Sequence, residues 1–263
     1  MGTSEKVRAL VVQEMPLGEQ DKRLTLITVS RGCVYCTAKG AKKQGARLSA
    51  VSRLFVYADF LLEQSRGGWY VKEASPIEFF YGLMQNPDAN VWASWMVETA
   101  RELAVENEEC REMLKLLLRG LRMITEESLS PRLVATTFVL RALAISGLRP
   151  ETQRCLSCGK PVGTSGALSA SAGGVLCPEC AHRYLDHIPV NEAGLFAFRH
   201  ILEADGSVLY KFRVEKNTEE QLFRFTEQFL VNFLQREPTG LRFARDWQKT
   251  TDDLFAEAQR RNP

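Results

Sequence analysis

Two closely spaced cysteine pairs have the residue types and the spacing of a metal site. Cys155 and Cys158 form the first pair, Cys177 and Cys180 form the second, and 18 residues separate the two. Two intervening residues let one tight turn aim both sulfurs at one ion, and Gly159 permits the backbone angles of such a turn. Four thiolates around one ion give the closed geometry of structural zinc sites, and the gap is typical of them. The sequence therefore predicts one structural Zn²⁺.

The cysteines allow other interpretations as well. A thioredoxin-like redox centre uses a single pair at the start of a helix, and an iron–sulfur cluster also uses four thiolates. Cys33 and Cys36 have the same spacing, but they lie in a predicted strand, where residues three apart point to opposite faces. We expect these two residues, and Cys110 on a predicted helix, to be ordinary structural residues. His182 and His187 lie near the second pair, and we expect them to be bystanders.

A basic segment is the second feature with chemical meaning. Between residues 31 and 53 the chain carries six basic side chains and no acidic one. These are Arg31, Lys39, Lys42, Lys43, Arg47 and Arg53. Gly40 and Gly45 interrupt the run, which indicates a flexible loop. Several cations on an adaptable surface suit the phosphate backbone of nucleic acids, because each contact releases counterions. A solvated face without a partner is the alternative.

Aromatic residues accompany the basic segment on neighbouring predicted strands. They are Tyr35, Phe55, Tyr57, Trp69 and Tyr70. Such rings stack on unpaired bases in single-stranded nucleic-acid sites, although burial in a core is the alternative for most of them. The segment from residue 40 to 45 superficially resembles a phosphate-binding loop, but it lacks the Lys-Ser/Thr that this loop requires. The sequence shows no nucleophile elbow, zinc-protease motif or acid–base pair, so we expect no enzyme.

Composition limits the class of protein. The 263 residues carry 34 basic and 32 acidic side chains, which gives a net charge of +2. Residues 1–80 alone carry 12 basic and 8 acidic side chains. The positive surplus therefore lies in the first 80 residues. The chain has seven cysteines. Because this number is odd, the cysteines cannot all be paired in disulfides. With no signal-peptide pattern and no long apolar run, we expect a reducing, intracellular compartment and no membrane contact.

The spacing of apolar residues divides the chain into a β part and an α part. Short β-type runs cover residues 7–13, 24–29, 34–38, 54–62 and 69–71, with a hairpin turn at Arg66-Gly67-Gly68. Five short strands suit a small closed barrel of the OB or SH3-like type, and an open sheet is the alternative. Residues 168–175 are predicted to fold back as a hairpin between the cysteine pairs.

Helical spacing begins at Ser75-Pro76. The first predicted helical face comprises Phe79, Phe80, Leu83 and Met84. Ser130 and Pro131 look like an N-cap and a first helical residue for a helix over 133–145. Helical spacing returns at 195–202 and at 219–235, where one face carries Leu222, Phe225, Phe229 and Phe233. The tail after residue 244 is predicted to be a loosely docked helix or a partly disordered segment, with Trp247, Leu254 and Phe255 as its main apolar residues.

Three local motifs occur in a recognisable order. They are Gly18-Glu19-Gln20-Asp21, the basic Lys39-Gly40-Ala41-Lys42-Lys43, and the four-cysteine element that follows Ser146-Gly147-Leu148-Arg149-Pro150. In this order and spacing, the chain resembles the RecO family of bacterial recombination mediators over residues 5–243. The resemblance implies an α+β protein with an N-terminal OB-fold barrel, followed by a helical domain with an embedded zinc-ribbon-like element.

The expected domains are an OB-fold DNA-binding barrel (1–75), a helical domain in two parts (76–154 and 188–243), the zinc element between them (155–187) and a tail (244–263). The resemblance implies binding to single- and double-stranded DNA and annealing of complementary strands. It also implies partnership with RecR and in some members RecF, contact with the C-terminal tail of the single-stranded DNA-binding protein SSB, and help in loading RecA. We expect a cytoplasmic, nucleoid-associated protein.

Site residues follow from the resemblance by position. By this resemblance Lys39, Lys42 and Lys43 would contact DNA, and so would Lys22 and Arg23. The basic segment adds Arg31, Arg47 and Arg53 as candidate DNA contacts. The four cysteines would bind zinc. Two other functions remain open from the residues alone: a zinc-ribbon enzyme that modifies nucleic acids, and a protein-interaction scaffold that does not bind DNA.

Overall fold

The structure is a computed structural model that describes residues 3–126 and 128–261, without the side chains of 255, 256 and 258–261. The chain forms two compact units. The first comprises Met1–Asn86 and Val97–Thr125, and the second comprises Pro87–Met96 and Glu126–Pro263. No helix within the described ranges has the length and apolar character needed to cross a bilayer. The sheet at the N-terminus and the helices after it confirm the predicted α+β class.

The first unit contains a closed five-stranded barrel in the order β1-β2-β3-β5-β4. Its strands are β1 (Ser4–Leu17), β2 (Asp21–Thr28), β3 (Gly32–Ala38), β4 (Val56–Ser65) and β5 (Gly68–Phe79). β3 and β5 are parallel at Cys36–Trp69 and Thr37–Tyr70, while the other neighbours are antiparallel. Closure leaves few unpaired strand edges. The chain therefore closes into a barrel, not the alternative open sheet.

The strand β5 is longer than its sequence indicates. The prediction of helix from Ser75-Pro76 is wrong for residues 75–79, because the strand continues to Phe79. Proline is accepted there because the pairing of β4 with β5 shifts register between Tyr57 and Ala58, opposite Pro76. Proline lacks an N–H and is tolerated beside such irregularities. Phe79 therefore belongs to the sheet, and helix α1 begins only at Tyr81.

Alternate residues of the strands fill the barrel. Val7, Ala9 and Val11 of β1 point inward and join the buried interior, as the two-residue period of a strand requires. Gly32, between β2 and β3, has a positive φ of 57°, and a Cβ atom there would lie 1.9 Å from the carbonyl oxygen of Val105. Only glycine allows this close approach, which brings residues 105–110 against the turn between β2 and β3.

Eight helices are assigned within the described ranges. They are α1 (Tyr81–Gln85), α2 (Pro87–Leu103), α3 (Arg111–Thr125), α4 (Pro131–Ile145), α5 (Pro178–Ala181), α6 (Glu192–Glu203), α7 (Lys216–Leu234) and α8 (Thr239–Arg261). The Ser130 hydroxyl accepts the backbone N–H of Leu133 at 3.0 Å, and Pro131 begins α4, as predicted. Ten residues of α4 are buried with no preferred side, which makes α4 a central helix of the second unit.

A small sheet and the helices α5 to α8 also belong to the second unit. The strands β6 (Gly166–Ser169), β7 (Gly174–Leu176) and β8 (Ile188–Val190) are ordered β7-β6-β8, and β6 with β7 forms the predicted hairpin. On α7, Leu222 and Phe225 are buried, but Phe233 is 46% exposed, so the predicted apolar face does not extend to its last residue. The tail is helical in α8 as far as Arg261, while the Phe255 side chain and residues 262–263 lie outside the described residues.

Candidate metal centre and nucleic-acid interface

The four cysteines of the two pairs converge on one point of the second unit. The Sγ atoms of Cys155, Cys158, Cys177 and Cys180 all lie within 4.8 Å of one another. The Sγ atoms of Cys158 and Cys177, one from each pair, are 3.8 Å apart. Cys158 is exposed, and the other three cysteines are buried. The structure therefore brings together all four residues that the spacing selects.

A tight turn shapes the first cysteine pair. The backbone N–H of Cys155 donates to the carbonyl of Lys160 at 2.8 Å, and that of Gly159 donates to the carbonyl of Cys155 at 2.8 Å. Gly159 has a positive φ of 74°, and no atom lies within 4 Å of where its Cβ would be. Glycine thus closes the turn without strain. The turn directs the sulfurs of Cys155 and Cys158 to the same side.

The start of a short helix shapes the second pair. Cys177 is the N-cap residue of α5, and Pro178 is its first helical residue. The N–H groups of Cys180 and Ala181 both donate to the carbonyl of Cys177 at 3.1 Å. The hairpin β6–β7 ends at Leu176, directly before this helix, and so places the second cysteine pair beside the first. The 18-residue gap is therefore filled by an ordered hairpin.

Backbone hydrogen bonds favour a thiolate at Cys155. Burial alone would raise the pKa of this thiol, but the backbone N–H groups of Cys177, Cys158 and Ser157 lower the pKa to about 6. Metals bind the thiolate and not the thiol, so these donors favour the ligand form of Cys155. At Cys177, burial and the neighbouring sulfurs act in the opposite direction and raise the pKa to about 11.

The residues fit a zinc ion. A tetrahedron with Zn–S bonds of about 2.3 Å has sulfur–sulfur separations of about 3.8 Å, which is the distance between Cys158 and Cys177. Among the described residues, the cluster contains the four sulfurs and neither His182 nor His187. His187 instead pairs through Nδ1 with the carbonyl oxygen of Tyr184 at 2.7 Å. Four thiolates leave no open coordination position, so such an ion would stabilise the fold and not activate a substrate.

Long-range contacts that the sequence does not reveal hold this element to α6. The Arg199 guanidinium donates to the carbonyls of Thr152 at 3.1 Å and Val162 at 2.8 Å, on either side of the first cysteine pair. The Thr152 hydroxyl donates to Glu203 at 3.0 Å. No local pattern marks Arg199, because its partners lie 37 and 47 residues away. The four-cysteine element is therefore anchored to the helix α6.

A carboxylate organises the hairpin beside the cysteines. Asp186 accepts the hydroxyls of Ser169 at 2.8 Å and Ser171 at 2.7 Å, and the backbone N–H of Ser171 at 2.7 Å. Partial burial raises the pKa of Asp186, but these donors outweigh it and lower the pKa below its ordinary value. The turn between β6 and β7 is thus fixed by a charged hydrogen-bond acceptor.

The third cysteine pair behaves differently, as the sequence indicates. Cys36 points into the barrel interior, where burial raises the pKa of its thiol to about 12. Cys33, three residues earlier on β3, is buried but does not belong to that interior cluster. Their sulfurs do not converge, and both are free thiols, as is Cys110. The described part of the chain therefore joins only the other four cysteines in a metal-ligand cluster.

The basic residues that the sequence selects fall into two groups. Four lie exposed on the connection between β3 and β4: Lys39, Lys42, Lys43 and Arg47. The Lys43 ammonium has no ion pair or hydrogen bond within residues 3–126 and 128–261. The Arg47 guanidinium is 3.7 Å from Glu73, but both side chains are more than half exposed. An exposed pair of this kind is weak and is readily replaced by other anions.

Three contacts shape the exposed basic group. The Lys39 ammonium lies 4.4 Å above the centre of the Tyr70 ring. The Lys42 ammonium donates to the carbonyl of Gly18 at 3.0 Å, and the backbone N–H of Gly40 donates to the Asp21 carboxylate at 2.7 Å. The connection is therefore tied to the turn between β1 and β2 while its cations face solvent.

Arg31 and Lys22 are already neutralised by carboxylates. Arg31 Nε donates to Glu5 at 2.7 Å, and its guanidinium also contacts Asn107 and the face of Trp69. Lys22 pairs with Glu14, and its side chain is only 18% exposed. These two cations stabilise the barrel unit, so they have less charge to offer a nucleic acid than the four on the connection.

The last two basic residues are exposed but lie elsewhere on the unit. Arg53 lines a small cavity of about 60 Å³ whose other side chains are apolar apart from the Tyr81 hydroxyl. Arg23 lies on the outer face of the barrel, paired in register with Met15 on β1 and Thr37 on β3. On this outer face Tyr35 is 50% exposed, whereas Phe55 is buried. Tyr35, not Phe55, is thus accessible for stacking.

Family models match almost the whole chain. The model described as Recombination protein O N terminal matches residues 1–80, and the one described as Recombination protein O C terminal matches residues 84–242. The chain belongs to the RecO family. The boundary between the two matches follows β5 and coincides with α1. The family assignment confirms the resemblance seen in the sequence and places the protein in DNA repair and recombination.

Relatives named DNA repair protein RecO come from several bacteria. The one from Acetivibrio thermocellus is 26% identical over 249 residues, covering 95% of this chain and 98% of the relative. The one from Desulforudis audaxviator is 29% identical, with coverage of 91% and 96%. The one from Desulfitobacterium hafniense is 28% identical, with coverage of 87% and 84%. The similarity to RecO proteins therefore extends over both units.

Proposed function

We propose that this RecO family protein binds single- and double-stranded DNA, anneals complementary strands, and helps load RecA onto DNA coated with SSB. The observation that carries the proposal is the exposed group of cations on the connection between β3 and β4. Lys39, Lys42, Lys43 and Arg47 are solvent-accessible on one connection, next to an outer barrel face that carries Tyr35 and Arg23. Backbone contacts of this type bind DNA of any sequence.

The barrel supports the proposal by its topology. Strand order β1-β2-β3-β5-β4 with parallel β3 and β5 is the arrangement we propose to be an OB-fold. Such barrels bind single strands by combining a basic groove with exposed aromatic rings. We retain the division into a DNA-binding barrel (1–75), a two-part helical domain (76–154 and 188–243), a zinc element (155–187) and a tail (244–263) as a proposal.

Annealing requires no catalytic residue, so we propose a mediator and not an enzyme. Two strands repel each other through their phosphates, and cations that neutralise both let complementary bases meet. The four cysteines would hold one structural Zn²⁺, which stabilises the second unit. RecR, the C-terminal tail of SSB and, in some contexts, RecF are the proposed protein partners, and RecA is the indirect one. A cytoplasmic, nucleoid-associated location remains a prediction.

DNA binding is tested with the double variant Lys42→Glu and Lys43→Glu. We expect an affinity loss of at least about tenfold for single-stranded oligonucleotides, and a salt-dependence slope smaller by about 1.4, because two phosphate contacts are lost and each contributes about 0.7 on single strands. Fluorescence anisotropy over a range of salt concentrations measures both. The matched control is Lys211→Glu with Lys249→Glu, which makes the same charge change at exposed positions of the second unit. Equal losses in both variants would contradict the assignment.

Mediator function is tested by annealing complementary strands precoated with SSB. Wild-type protein should accelerate annealing, and RecR with RecA should then form filaments on the remaining single strand. The Lys42 and Lys43 variant should fail at annealing while its melting temperature stays unchanged. Absence of DNA binding at low salt, with RecR binding intact, would support a scaffold instead. A new covalent nucleic-acid product would support an enzyme.

A further inference from the structure

One of the four clustered cysteines differs from the rest in its access to solvent. Cys158 is exposed, whereas Cys155, Cys177 and Cys180 are each less than 9% exposed. Beside Cys158, Gly159 has no side chain, and apart from its chain neighbours no atom lies within 4 Å of its would-be Cβ. A small solute therefore reaches the sulfur of Cys158 before it reaches the others.

A second sulfur lies within reach of the exposed one. The Sγ atom of Cys177, from the other pair, is 3.8 Å from that of Cys158. A disulfide needs about 2.05 Å, so a shift of about 1.8 Å joins the two. Apart from its chain neighbours, no atom lies within 4 Å of the would-be Cβ of Gly159, so the tight turn leaves Cys158 room for the required movement.

We infer that Cys158 is a modification site for peroxides, and that its oxidation ends in a Cys158–Cys177 disulfide that removes the metal. The inference rests on the metal centre proposed above. It concerns only the order in which the four sulfurs react and which two become joined.

The chemistry is a two-electron oxidation by hydrogen peroxide or an organic hydroperoxide. The Cys158 thiolate attacks one peroxide oxygen, an S–O bond forms and the O–O bond breaks. The released electron pair leaves on hydroxide from hydrogen peroxide, or on an alkoxide from an organic hydroperoxide. The Cys177 thiolate then attacks the sulfenic sulfur, forming the S–S bond and releasing hydroxide. Two protons from the buffer neutralise the two released anions, so one peroxide becomes two waters or a water and an alcohol. This is the reversible part of cysteine oxidation.

Metal loss follows from the ligand count. After the reaction only Cys155 and Cys180 remain as thiolates, and a closed four-sulfur site does not hold its ion with two. The Arg199 contacts to Thr152 and Val162 do not involve sulfur, and the disulfide keeps the two cysteine pairs adjacent. Reduction therefore restores the site once metal is supplied. Peroxide and a thiol reductant would switch the element between metal-bound and disulfide forms.

The experiment uses the full-length protein purified without oxygen, with its metal content measured first. Hydrogen peroxide is added in steps while a chromophoric chelator reports released zinc, and tryptic mass spectrometry without reduction identifies the disulfide. We expect release of about one zinc per chain, a Cys158–Cys177 cross-link, and recovery of zinc binding after treatment with a thiol reductant and zinc sulfate.

Two ligand-preserving variants separate the roles of the two sulfurs. Cys158→His retains a metal ligand but no oxidisable sulfur, so peroxide-driven release should slow by at least about tenfold. Cys177→His keeps the exposed thiolate but removes its partner, so dimedone should trap a sulfenic acid at Cys158. Cys110→Ser, outside the cluster, should behave as wild type.

Three outcomes overturn the inference. One is a dominant cross-link within a pair, Cys155–Cys158 or Cys177–Cys180. Another is an unchanged release rate in Cys158→His, and a third is dimedone labelling of another cysteine of the cluster in Cys177→His. Protein that carries no metal at the outset would overturn the proposed metal centre together with this inference. If metal-loaded protein fails only in the oxidation steps, the inference is wrong but the proposed metal centre is not contradicted.

Discussion

The barrel and the cysteine element each contain two cysteines three positions apart, with opposite results. Cys33 and Cys36 lie on the strand β3, where one is directed into the barrel interior and the other is not. Cys155 and Cys158 lie on a turn closed by Gly159, and their sulfurs meet those of the second pair within 4.8 Å. The spacing of two cysteines therefore indicates a metal site only when the backbone between them turns.

The glycines beside the two cysteine motifs also differ from each other. Gly32 precedes Cys33 and Gly159 follows Cys158, and both have positive φ angles. At Gly32 a Cβ would overlap a carbonyl oxygen, while at Gly159 it would meet open space. One glycine is required by packing against another segment, and the other is required only by its own turn.

The largest difference should appear on removing one cysteine from each region. Cys177→Ser should abolish stoichiometric metal binding and lower the free energy of unfolding of the second unit by about 4 kcal/mol or more, because loss of a structural metal ranks among the largest single-site effects. Cys36→Ala should cost about 1–2 kcal/mol, as a small cavity does, and leave metal content unchanged. Metal analysis and urea unfolding measure both. Similar metal loss in the two variants would remove the distinction between the regions.

The substitution Gly32→Ala should come next. A non-glycine residue at this φ angle, with its Cβ against the Val105 carbonyl, should cost about 3 kcal/mol of the free energy of unfolding. Metal content should remain that of wild type, because Gly32 belongs to the barrel unit. Urea unfolding followed by circular dichroism measures the loss. A cost below about 1 kcal/mol would mean that residues 105–110 can move away from the turn.

A smaller, pH-dependent effect should come from Asp186. Its pKa is lowered in the folded protein, so its contribution is complete above the unfolded pKa of about 3.9 and disappears as pH falls through the lower folded pKa. Asp186→Asn should cost about 1–2 kcal/mol at pH 7. It should also weaken the loss of stability on acidification below about pH 4.

Thermal unfolding between pH 3 and pH 7 checks the Asp186 prediction. Asp59 provides the matched control, because its pKa is also lowered, by the Arg8 guanidinium, on the exposed barrel surface. Asp59→Asn should change stability less, since exposed ion pairs contribute little. An Asp186→Asn curve parallel to wild type at every pH would contradict the assigned role.

The smallest effect should come from Gly159→Ala. Its φ angle is as unfavourable for alanine as that of Gly32, but the space around it is open, so the cost should be about 1 kcal/mol. Metal binding should persist at about one ion per chain. Competition with a chelator of known affinity measures the remaining affinity. A cost as large as that of Gly32→Ala would show that backbone angle alone, and not packing, separates the two glycines.

The fold was predictable where the signal is local. The α4 helix follows from Ser130-Pro131 because the N-cap hydroxyl and the first proline act within four residues. The hairpin between the cysteine pairs follows from its glycines. The end of β5 was not predictable, because Pro76 is accepted only through a register shift on β4, a strand that lies earlier in the chain. The spacing places Phe233 on the same face as Leu222 and Phe225, but it lies 46% exposed near the end of α7.

In the candidate sites, too, local signals were predictable from the sequence and long-range contacts were not. The four cysteines were found because metal coordination constrains residue type and spacing over short distances. The free and neutralised cations were not separable in sequence, since Arg31 pairs with Glu5, which lies 26 residues away, and Lys22 pairs with Glu14 across neighbouring strands. Arg199 carried no signal at all, because both of its carbonyl acceptors belong to a distant loop.

The sequence by itself determined a four-cysteine ligand set, a basic segment without acidic residues, and the order of a β part before an α part. These depend on residue types within a few positions of one another. Only the tertiary structure decided that Cys158 alone of the four sulfurs is exposed, and that the cations of the connection between β3 and β4 face solvent while Arg31 and Lys22 are paired. Burial and ion pairing depend on which distant segments pack together, and spacing along the chain does not encode those contacts.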